Sequence, residues 1–151
     1  MTSPNAAAYR TRRASTIPAA KAALVSLAKT ALAGQAEVYY GAPSDAMSFP
    51  HMIFRNVESD DAWAELGNTG REENYTVEWF LAWRASGGTT QDATEKAFAL
   101  LALFDAALLK NPSLGGLVHW ALLKIRRVVE DPSDNARLTF LHGGIVVKAR
   151  I

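Results

Sequence analysis

The sequence contains no cysteine among its 151 residues. That absence excludes disulfide bonds, thiolate zinc sites and cysteine nucleophiles. The longest apolar run, residues 97–109, is shorter than the ~20 residues that a membrane-spanning helix needs, and Asp105 lies inside it. The arginines near the N-terminus are not followed by a hydrophobic segment, so we expect no secretory signal and synthesis in the cytoplasm.

The sequence also lacks catalytic motifs. It has no Gly-x-Ser-x-Gly elbow and no Walker or dinucleotide-binding glycine pattern. The three histidines, His51, His119 and His142, lie far apart in predicted strands, and none has a partner at metal-ligand spacing. Adjacent acids such as Asp60-Asp61 and Glu72-Glu73 point to opposite faces of a strand and form no shared site there. We therefore expect no enzyme, no metal site and no cofactor.

The formal net charge is only +1, but the charges are distributed unevenly. Residues 58–78 carry seven acids against a single arginine: Glu58, Asp60, Asp61, Glu65, Glu72, Glu73 and Glu78 against Arg71. The N-terminal region carries Arg10, Arg12, Arg13 and Lys21 with no acid. A second basic group comprises Lys124, Arg126, Arg127, Arg137, Lys148 and Arg150. These groups are either solvated surfaces or complementary patches between copies of the chain.

The strongest basic cluster is Lys124-Ile125-Arg126-Arg127. A nucleic-acid interface also needs aromatic stacking platforms, but Trp79 and Trp83 alternate with aliphatic residues on one strand face, a pattern typical of a core. Near-neutral charge and an acidic segment argue against a dedicated nucleic-acid binder. We expect no sequence-specific binding of DNA or RNA.

The N-terminal part of the chain predicts an arm followed by a helix. Residues 1–14 are small, polar and basic, and we expect them to be disordered in isolation. Ser15-Thr16-Ile17-Pro18 predicts a helix start with a hydroxyl cap and proline in the first turn. Gly34 predicts the end of this helix after about four turns. We divide the chain into a basic arm, residues 1–16, and one domain, residues 17–151.

Strand patterns follow the first helix. Residues 37–41 and 51–57 are predicted strands separated by a turn at 42–45. The acidic segment 58–73 is either a long hairpin or a loop with a short strand of its own. In the strand 75–84, alternate residues share one face, namely Tyr75, Val77, Trp79, Leu81 and Trp83. The other face is also partly apolar, so this strand is central or covered on both sides.

A second helix begins at a cap formed by Thr89 or Thr90, with Asp92 in its first turn, and ends near Leu109. Its core stripe comprises Ala93, Ala97, Leu100, Leu101, Phe104 and Leu108. A second apolar stripe, Phe98, Ala102 and Leu109, lies roughly 120° away around the helix. A single sheet cannot cover both stripes, so either the first helix or a neighbouring subunit covers the second one.

The last two predicted strands, residues 117–130 and 136–151, are long, and a turn at 131–135 joins them. Gly143-Gly144 predicts a bulge or bend in the final strand. Long strands with exposed ends invite pairing with another chain. The predicted fold class is α+β, a mainly antiparallel sheet packed against two helices in a single domain.

The order of these elements resembles the tail terminator proteins of long-tailed bacteriophages, also called minor tail or tail-completion proteins. The resemblance covers residues 17–151. It depends on the first helix leading into Val38-Tyr39-Tyr40-Gly41-Ala42-Pro43, on the aromatic strand 75–84 and on the linker Asn111-Pro112-Ser113-Leu114-Gly115-Gly116. The ending Val146-Val147-Lys148-Ala149-Arg150 completes it. None of these motifs is catalytic, so the resemblance depends on their combination and order.

The resemblance implies a homo-oligomeric ring, usually a hexamer, at the head-proximal end of the virion tail, assembled in the host cytoplasm. Such a ring caps the tail tube protein, stops its polymerisation and joins the tail to the head-tail connector or stopper. The genome DNA passes through its lumen without sequence-specific binding, and no cofactor, catalytic residue or membrane is involved. The basic arm lies outside the resemblance and receives no role from it.

Complementary patches and the second helix stripe provide candidate subunit or partner interfaces. These candidates are Arg10, Arg12, Arg13, Asp60, Asp61, Glu65, Phe98, Ala102, Leu109, Arg126 and Arg127. We hypothesise that part of segment 58–73 faces the lumen or the tube. The alternatives are a head-tail stopper or connector adaptor of the phage neck, a small ligand-binding or peptide-binding α+β domain, and an enzyme of unrecognised type.

Overall fold

The computed structural model describes residues 15–43, 47–59, 72–85, 87–132 and 136–150. Two helices and five strands occupy these ranges. In chain order they are α1 (Ile17–Ala31), β1 (Glu37–Tyr40), β2 (His51–Ser59), β3 (Glu72–Ala85), α2 (Thr90–Lys110), β4 (Trp120–Pro132) and β5 (Arg137–Arg150). The predicted α+β class is confirmed.

The strands form one five-stranded sheet in the order β1-β2-β3-β5-β4. β1 runs parallel to β2, and the other three pairs are antiparallel. A parallel pair needs a longer connection than a two-residue hairpin, and the chain between residues 40 and 51 provides one. β3 is the central strand, as its two-sided apolar pattern predicts, whereas β1 and β4 are the edges.

Both helices pack on one face of the sheet, here called the helix face. The predicted inward residues of β3 from Tyr75 to Leu81 are buried there, and Trp83 is partly buried. All six residues of the predicted core stripe of α2 are buried, and all but Ala93 belong to the same cluster. The opposite side of the sheet is called the outer face. At its β2 end the segment 47–50 packs against the sheet, since the Phe49 and His51 rings lie 4.7 Å apart.

The first helix begins at Ile17, as predicted, and the predicted hydroxyl cap is present in part, because the Ser15 hydroxyl accepts a hydrogen bond from the Ile17 backbone N–H at 3.1 Å. Thr16 makes no capping bond with its own side chain. Instead, the buried Glu73 carboxylate of β3 accepts hydrogen bonds from the Thr16 backbone N–H (2.7 Å), the Thr16 hydroxyl (2.8 Å) and the Ser15 hydroxyl (2.6 Å). An anion at this place satisfies a free helix donor and complements the helix dipole. A contact across 57 residues is not visible in a local sequence pattern.

The second helix begins as predicted. Thr89 is the cap, and a reciprocal pair of hydrogen bonds joins it to Asp92. The Thr89 side chain accepts from the Asp92 backbone N–H at 3.1 Å, and the Asp92 carboxylate accepts from the Thr89 backbone N–H at 3.4 Å. This capping box fixes the direction in which α2 leaves the turn after β3.

The predicted bulge in the final strand is wrong in its position. β5 pairs with β3 without interruption through Gly143 and Gly144, and the register shift lies in β4 between Ile125 and Arg127. The glycines have another role. A Cβ at Gly143 would collide with the Lys124 carbonyl oxygen and, at 2.6 Å, with the Trp79 ring. The small residue therefore admits Trp79 beneath the strand, while the extra residue is accommodated in the edge strand.

Element bounds also differ from the predictions. β4 ends at Pro132, so the first two residues of the predicted turn 131–135 belong to the strand, and β3 ends at Ala85. β4 begins at Trp120 rather than at 117. β2 continues to Ser59 and β3 already begins at Glu72, so both flanks of the acidic segment are strand. The two interpretations of that segment, and the expected disorder of the arm, fall on residues outside the described ranges.

Candidate interaction surface

The most exposed apolar area of the sheet lies on the edge strand β4. Trp120 is 41% exposed, Leu122 45%, Ile125 46% and Val128 40%. No strand of the described ranges pairs with the outer edge of β4, so its outward N–H and C=O groups form no ladder there. A long edge strand with exposed apolar side chains is a template for pairing with another chain.

These four side chains lie on both faces of the strand. Trp120 and Leu122 stand opposite Lys148 and Val146 of β5 on the outer face. Ile125 stands opposite Gly143, and Val128 opposite the buried Leu141, on the helix face. Directly opposed residues of antiparallel strands share a face, which gives this assignment. The bulge at Arg126 shifts the alternation of side chains between the two faces of the strand. Exposed apolar side chains therefore lie on the outer face before the bulge and on the helix face around and after it.

Three cations accompany these apolar side chains, namely Lys124, Arg126 and Arg127, all exposed. The Arg126 guanidinium is directed toward the outer face, because its nitrogen lies near the Cβ position of Gly144 beside Thr76. Within the described ranges none of the three cations forms an ion pair. We call Trp120, Leu122, Lys124, Ile125, Arg126, Arg127 and Val128 together the β4 surface.

The second stripe of α2 lies on the side of the helix that faces β4. The Thr94 hydroxyl is 3.2 Å from the hydroxyl of Thr139 in β5, and Thr139 pairs with Glu130 of β4. Phe98 and Ala102 follow Thr94 at four-residue intervals and therefore lie on the same flank. Phe98 is partly buried against the core, Ala102 is exposed, and Leu109 is 65% exposed. α1 therefore does not cover Ala102 and Leu109, and the alternative of a neighbouring subunit stays a prediction.

The sheet is electrically polarised from one edge to the other. β1, β2 and β3 carry five acidic residues and two basic ones: Glu37, Glu58, Glu72, Glu73 and Glu78 against Arg55 and Arg84. β5 and β4 carry six basic residues and two acidic ones: Arg137, Lys148, Arg150, Lys124, Arg126 and Arg127 against Glu130 and Asp131. Among the described residues, Lys148 and His142 of β5 contact two glutamates of β3. The distances are 3.7 Å for Lys148–Glu72 and 3.2 Å for His142–Glu78. Lys124, Arg126 and Arg127 on β4, and Glu37 and Glu58 on β1 and β2, form no ion pair within the described residues.

The β1 side of the sheet has its own exposed groups. Tyr40 is 55% exposed, and the Lys21 ammonium lies 4.1 Å from its ring centroid. Lys21 also donates a hydrogen bond to the Arg55 carbonyl oxygen, and partial burial lowers the pKa of this lysine. Glu37 and Glu58 are exposed and form no ion pair within the described residues.

The ring of His51 is buried at the start of β2. Burial lowers the pKa of His51, and this effect exceeds the opposing effect of its hydrogen bond to the Ser48 carbonyl oxygen at 3.0 Å. His142 instead stacks on Phe80, with ring centroids 4.3 Å apart. Neither histidine belongs to a metal site, because the described part of the chain contains no group of three or more potential ligands.

Other kinds of site receive little support from the described residues. α1 and the loop after α2 border a depression of about 300 Å³ whose lining, including Leu27, Thr30 and Leu114, contains no charged group. It offers an ionic ligand no partner. Within the described ranges no helix is long and apolar enough to cross a membrane.

The sequence-predicted site residues divide into two groups. Arg126 and Arg127 lie on the β4 surface, and Phe98, Ala102 and Leu109 lie on the flank of α2, which packs against β4. These five thus lie toward the same edge of the sheet, with the Arg126 guanidinium on the outer face and the α2 residues on the helix face. The other candidates lie outside the described residues, namely Arg10, Arg12, Arg13, Asp60, Asp61 and Glu65.

Sequence reasoning missed the apolar residues of the β4 surface, namely Trp120, Leu122, Ile125 and Val128. The available signal was the spacing 120, 122, 125, 128, which departs from strict alternation after Leu122. In a strand, such a change of phase indicates a bulge that exposes apolar side chains on both faces.

No protein-family model matches the sequence, and no curated protein matches it. Among solved structures the chain is similar to a chain of the virion of a native gene transfer agent particle, with a TM-score of 0.45 and 13% identity. The match covers 85% of this chain and 94% of that chain. A TM-score and an identity this low establish neither a shared fold nor a shared function.

Proposed function

We propose that the protein is a structural component of a bacteriophage virion, a tail terminator. Its copies form a ring, usually a hexamer in that family, at the head-proximal end of the tail. The ring caps the tail tube, stops its polymerisation and joins the tail to the head connector. The genome passes through the lumen, and the proposal includes no catalytic step and no cofactor.

The observation that supports this proposal best is the β4 surface. Four large apolar side chains and three unpaired cations lie along a strand whose outer edge has no partner among the described residues. A monomeric domain normally covers or blunts such an edge. A ring subunit needs one surface for the preceding copy and a different surface for the following copy. The order of elements that resembles tail terminators supplies the biological setting.

The acidic segment has a proposed place in this ring. We keep the hypothesis that part of residues 58–73 faces the lumen or the tube, where negative charge would repel DNA phosphates. The segment lies between the described strands β2 and β3. A charge-reversed variant of Asp60, Asp61 and Glu65 tests this point. If it still terminates tails at normal length and delivers DNA normally, the lumen hypothesis is wrong.

The function is tested by electron microscopy of particles assembled without this protein. We expect abnormally long tails or tails without heads, and normal tails on complementation with the unaltered chain. Complementation with Ile125→Asp should fail, because it places a charge in the β4 surface. Glu95→Lys, an exposed change on α2, is the matched control and should complement. Tails of normal length and normal attachment in the absence of the protein would overturn the proposal.

The neck alternative differs in its partner. A terminator binds tail tube protein and blocks its growth in a polymerisation assay. A stopper or adaptor leaves tube growth unchanged and binds the portal-side connector. A small ligand-binding domain would do neither and would remain a monomer.

A further inference from the structure

The two edges of the sheet differ in length, charge and exposed side chains. The β4 edge is 13 residues long and carries Lys124, Arg126 and Arg127. The β1 edge is four residues long and carries Glu37, with Glu58 on the adjoining strand β2. Two cations also lie near this edge, Lys21 beside the Tyr40 ring and Arg55 of β2 over the Phe80 ring. In the described part of the chain neither edge has a further strand beside it. The molecule thus has two separate, unlike surfaces at opposite ends of one sheet.

These charges decide how two copies meet most favourably. If two β4 surfaces faced each other around Arg126, the cations of one copy would lie against those of the other, and like charges at short range disfavour such a contact. If the β4 surface faced the β1–β2 edge of another copy, its cations would meet Glu37 and Glu58. None of these five side chains has an ion-pair partner within the described residues, so the contact disrupts no pair inside the subunit.

Apolar groups are available on both sides of this contact. The β4 surface contributes Trp120, Leu122, Ile125 and Val128, and the β1 edge contributes the exposed Tyr40 ring. Aromatic anchors within a rim of charged residues are the usual composition of a protein interface. Covering the β4 surface would remove exposed apolar area and give a partner to an unpaired sheet edge.

We propose that the β4 surface of one copy docks on the β1–β2 edge of the next copy, head to tail, through Lys124, Arg126 and Arg127 against Glu37 and Glu58. The inference rests on the proposed ring for its partner, a second copy of this chain. Because the two surfaces differ, the contact is heterologous and repeats from copy to copy. Such a contact generates a ring if the rotation between copies closes, whereas a symmetric β4–β4 contact ends at a dimer.

The absence of cysteine permits a direct test by cross-linking. Two single-cysteine variants, Lys124→Cys and Glu37→Cys, place one thiol on each proposed surface, and a short bismaleimide can join only different copies. We expect cross-linked dimers when the two variants are mixed and little product from either one alone. Glu95→Cys, exposed on α2, is the matched control and should not cross-link to Lys124→Cys.

Charge reversal sharpens the test. In the Lys124→Cys background, Arg126→Glu with Arg127→Glu should lower the yield of the mixed cross-link about twofold or more, because Glu58, the acid that remains on the Glu37→Cys partner, loses its cations and meets like charge. Adding Glu58→Lys to the Glu37→Cys partner should restore part of the yield. The same cross-link should weaken as salt concentration rises.

Three outcomes would overturn the inference. The first is that Lys124→Cys cross-links mainly to other copies of the same variant. The second is that Lys124→Cys gives no more product with Glu37→Cys than with the Glu95→Cys control. The third is that no mixture gives a cross-linked dimer. The proposed function fails separately. Normal tails without the protein would overturn tail termination and leave the head-to-tail contact standing. A failed cross-link together with abnormally long tails would overturn the head-to-tail contact and leave tail termination standing.

Discussion

Strands β3 and β4 have 14 and 13 residues and similar shares of large apolar side chains, yet their surroundings are opposite. β3 lies between β2 and β5, and its helix-face residues Val77, Trp79 and Leu81 have no exposed area. β4 has one neighbour, and four of its large apolar side chains are 40% exposed or more. The share of large apolar residues is nearly the same in both strands, so position in the sheet decides whether such a side chain stabilises the fold or is available to a partner.

The largest expected difference between the strands comes from their tryptophans. Trp79→Ala leaves a cavity in the core and should lower the free energy of unfolding by about 3–5 kcal/mol. Trp120→Ala removes a partly exposed ring and should cost about 1 kcal/mol or less, while it weakens association between copies. Urea unfolding at low protein concentration measures the loss of stability in both variants. Equal losses of stability would contradict the contrast between the strands.

The second-largest expected loss of stability concerns Gly143 of β5, which lies between β3 and β4. Gly143→Ala directs a methyl group at the Lys124 backbone and the Trp79 ring, neither of which can move freely. We expect a loss of about 1–3 kcal/mol, typical of overpacking. Gly144→Ala is the control, because its methyl meets the Thr76 side chain, and it should cost less. Neither glycine has a positive φ, so the comparison isolates packing.

At the start of β3, two neighbouring glutamates allow a third test. Glu73 is 2% exposed and caps α1, whereas the side chain of Glu72 is 41% exposed and pairs with Lys148. Glu73→Gln should cost about 1–3 kcal/mol, because buried donors lose a charged acceptor. Glu72→Gln should cost less than about 1 kcal/mol, as exposed pairs do. If thermal unfolding shows the reverse order, the proposed cap of α1 is not important for stability.

The smallest effect concerns the covered part of the outer face, where His51 is buried while Trp120 is exposed. Burial lowers the pKa of His51, so the folded state binds a proton less readily than the unfolded state. Stability should therefore fall as pH decreases below the unfolded value of about 6.5, and the loss should be complete below the folded pKa.

His51→Asn keeps a donor near the Ser48 carbonyl oxygen and removes the titration. Unfolding measured at a series of pH values should show a smaller acid loss for this variant. An unchanged pH profile would show that another group causes the loss.

Much of the fold could be predicted from local patterns. The core stripe of α2, the Thr89 capping box and the central place of β3 depend on residues close together in sequence, where periodicity and cap chemistry act directly. The cap of α1 by Glu73 could not be predicted, because the partners lie 57 residues apart. The β4 surface was found only in part. Its cations were visible as a cluster, but its exposed apolar residues look like core until the strand order is known.

The sequence by itself determined the two helices, the strands and the α+β class, since apolar periodicity fixes which side chains must leave water. It also determined that cysteine chemistry takes no part. That both helices lie on one face of the sheet was known only from the tertiary structure. Only the tertiary structure decided that β5 inserts between β3 and β4, and so which strand became an edge and where opposite charges collected. Strand order arises from long-range pairing, and side chains on a buried strand and on an edge strand can be the same residues. The free edge, and with it the surface proposed to join one copy to the next, therefore belongs to the fold rather than to any local motif.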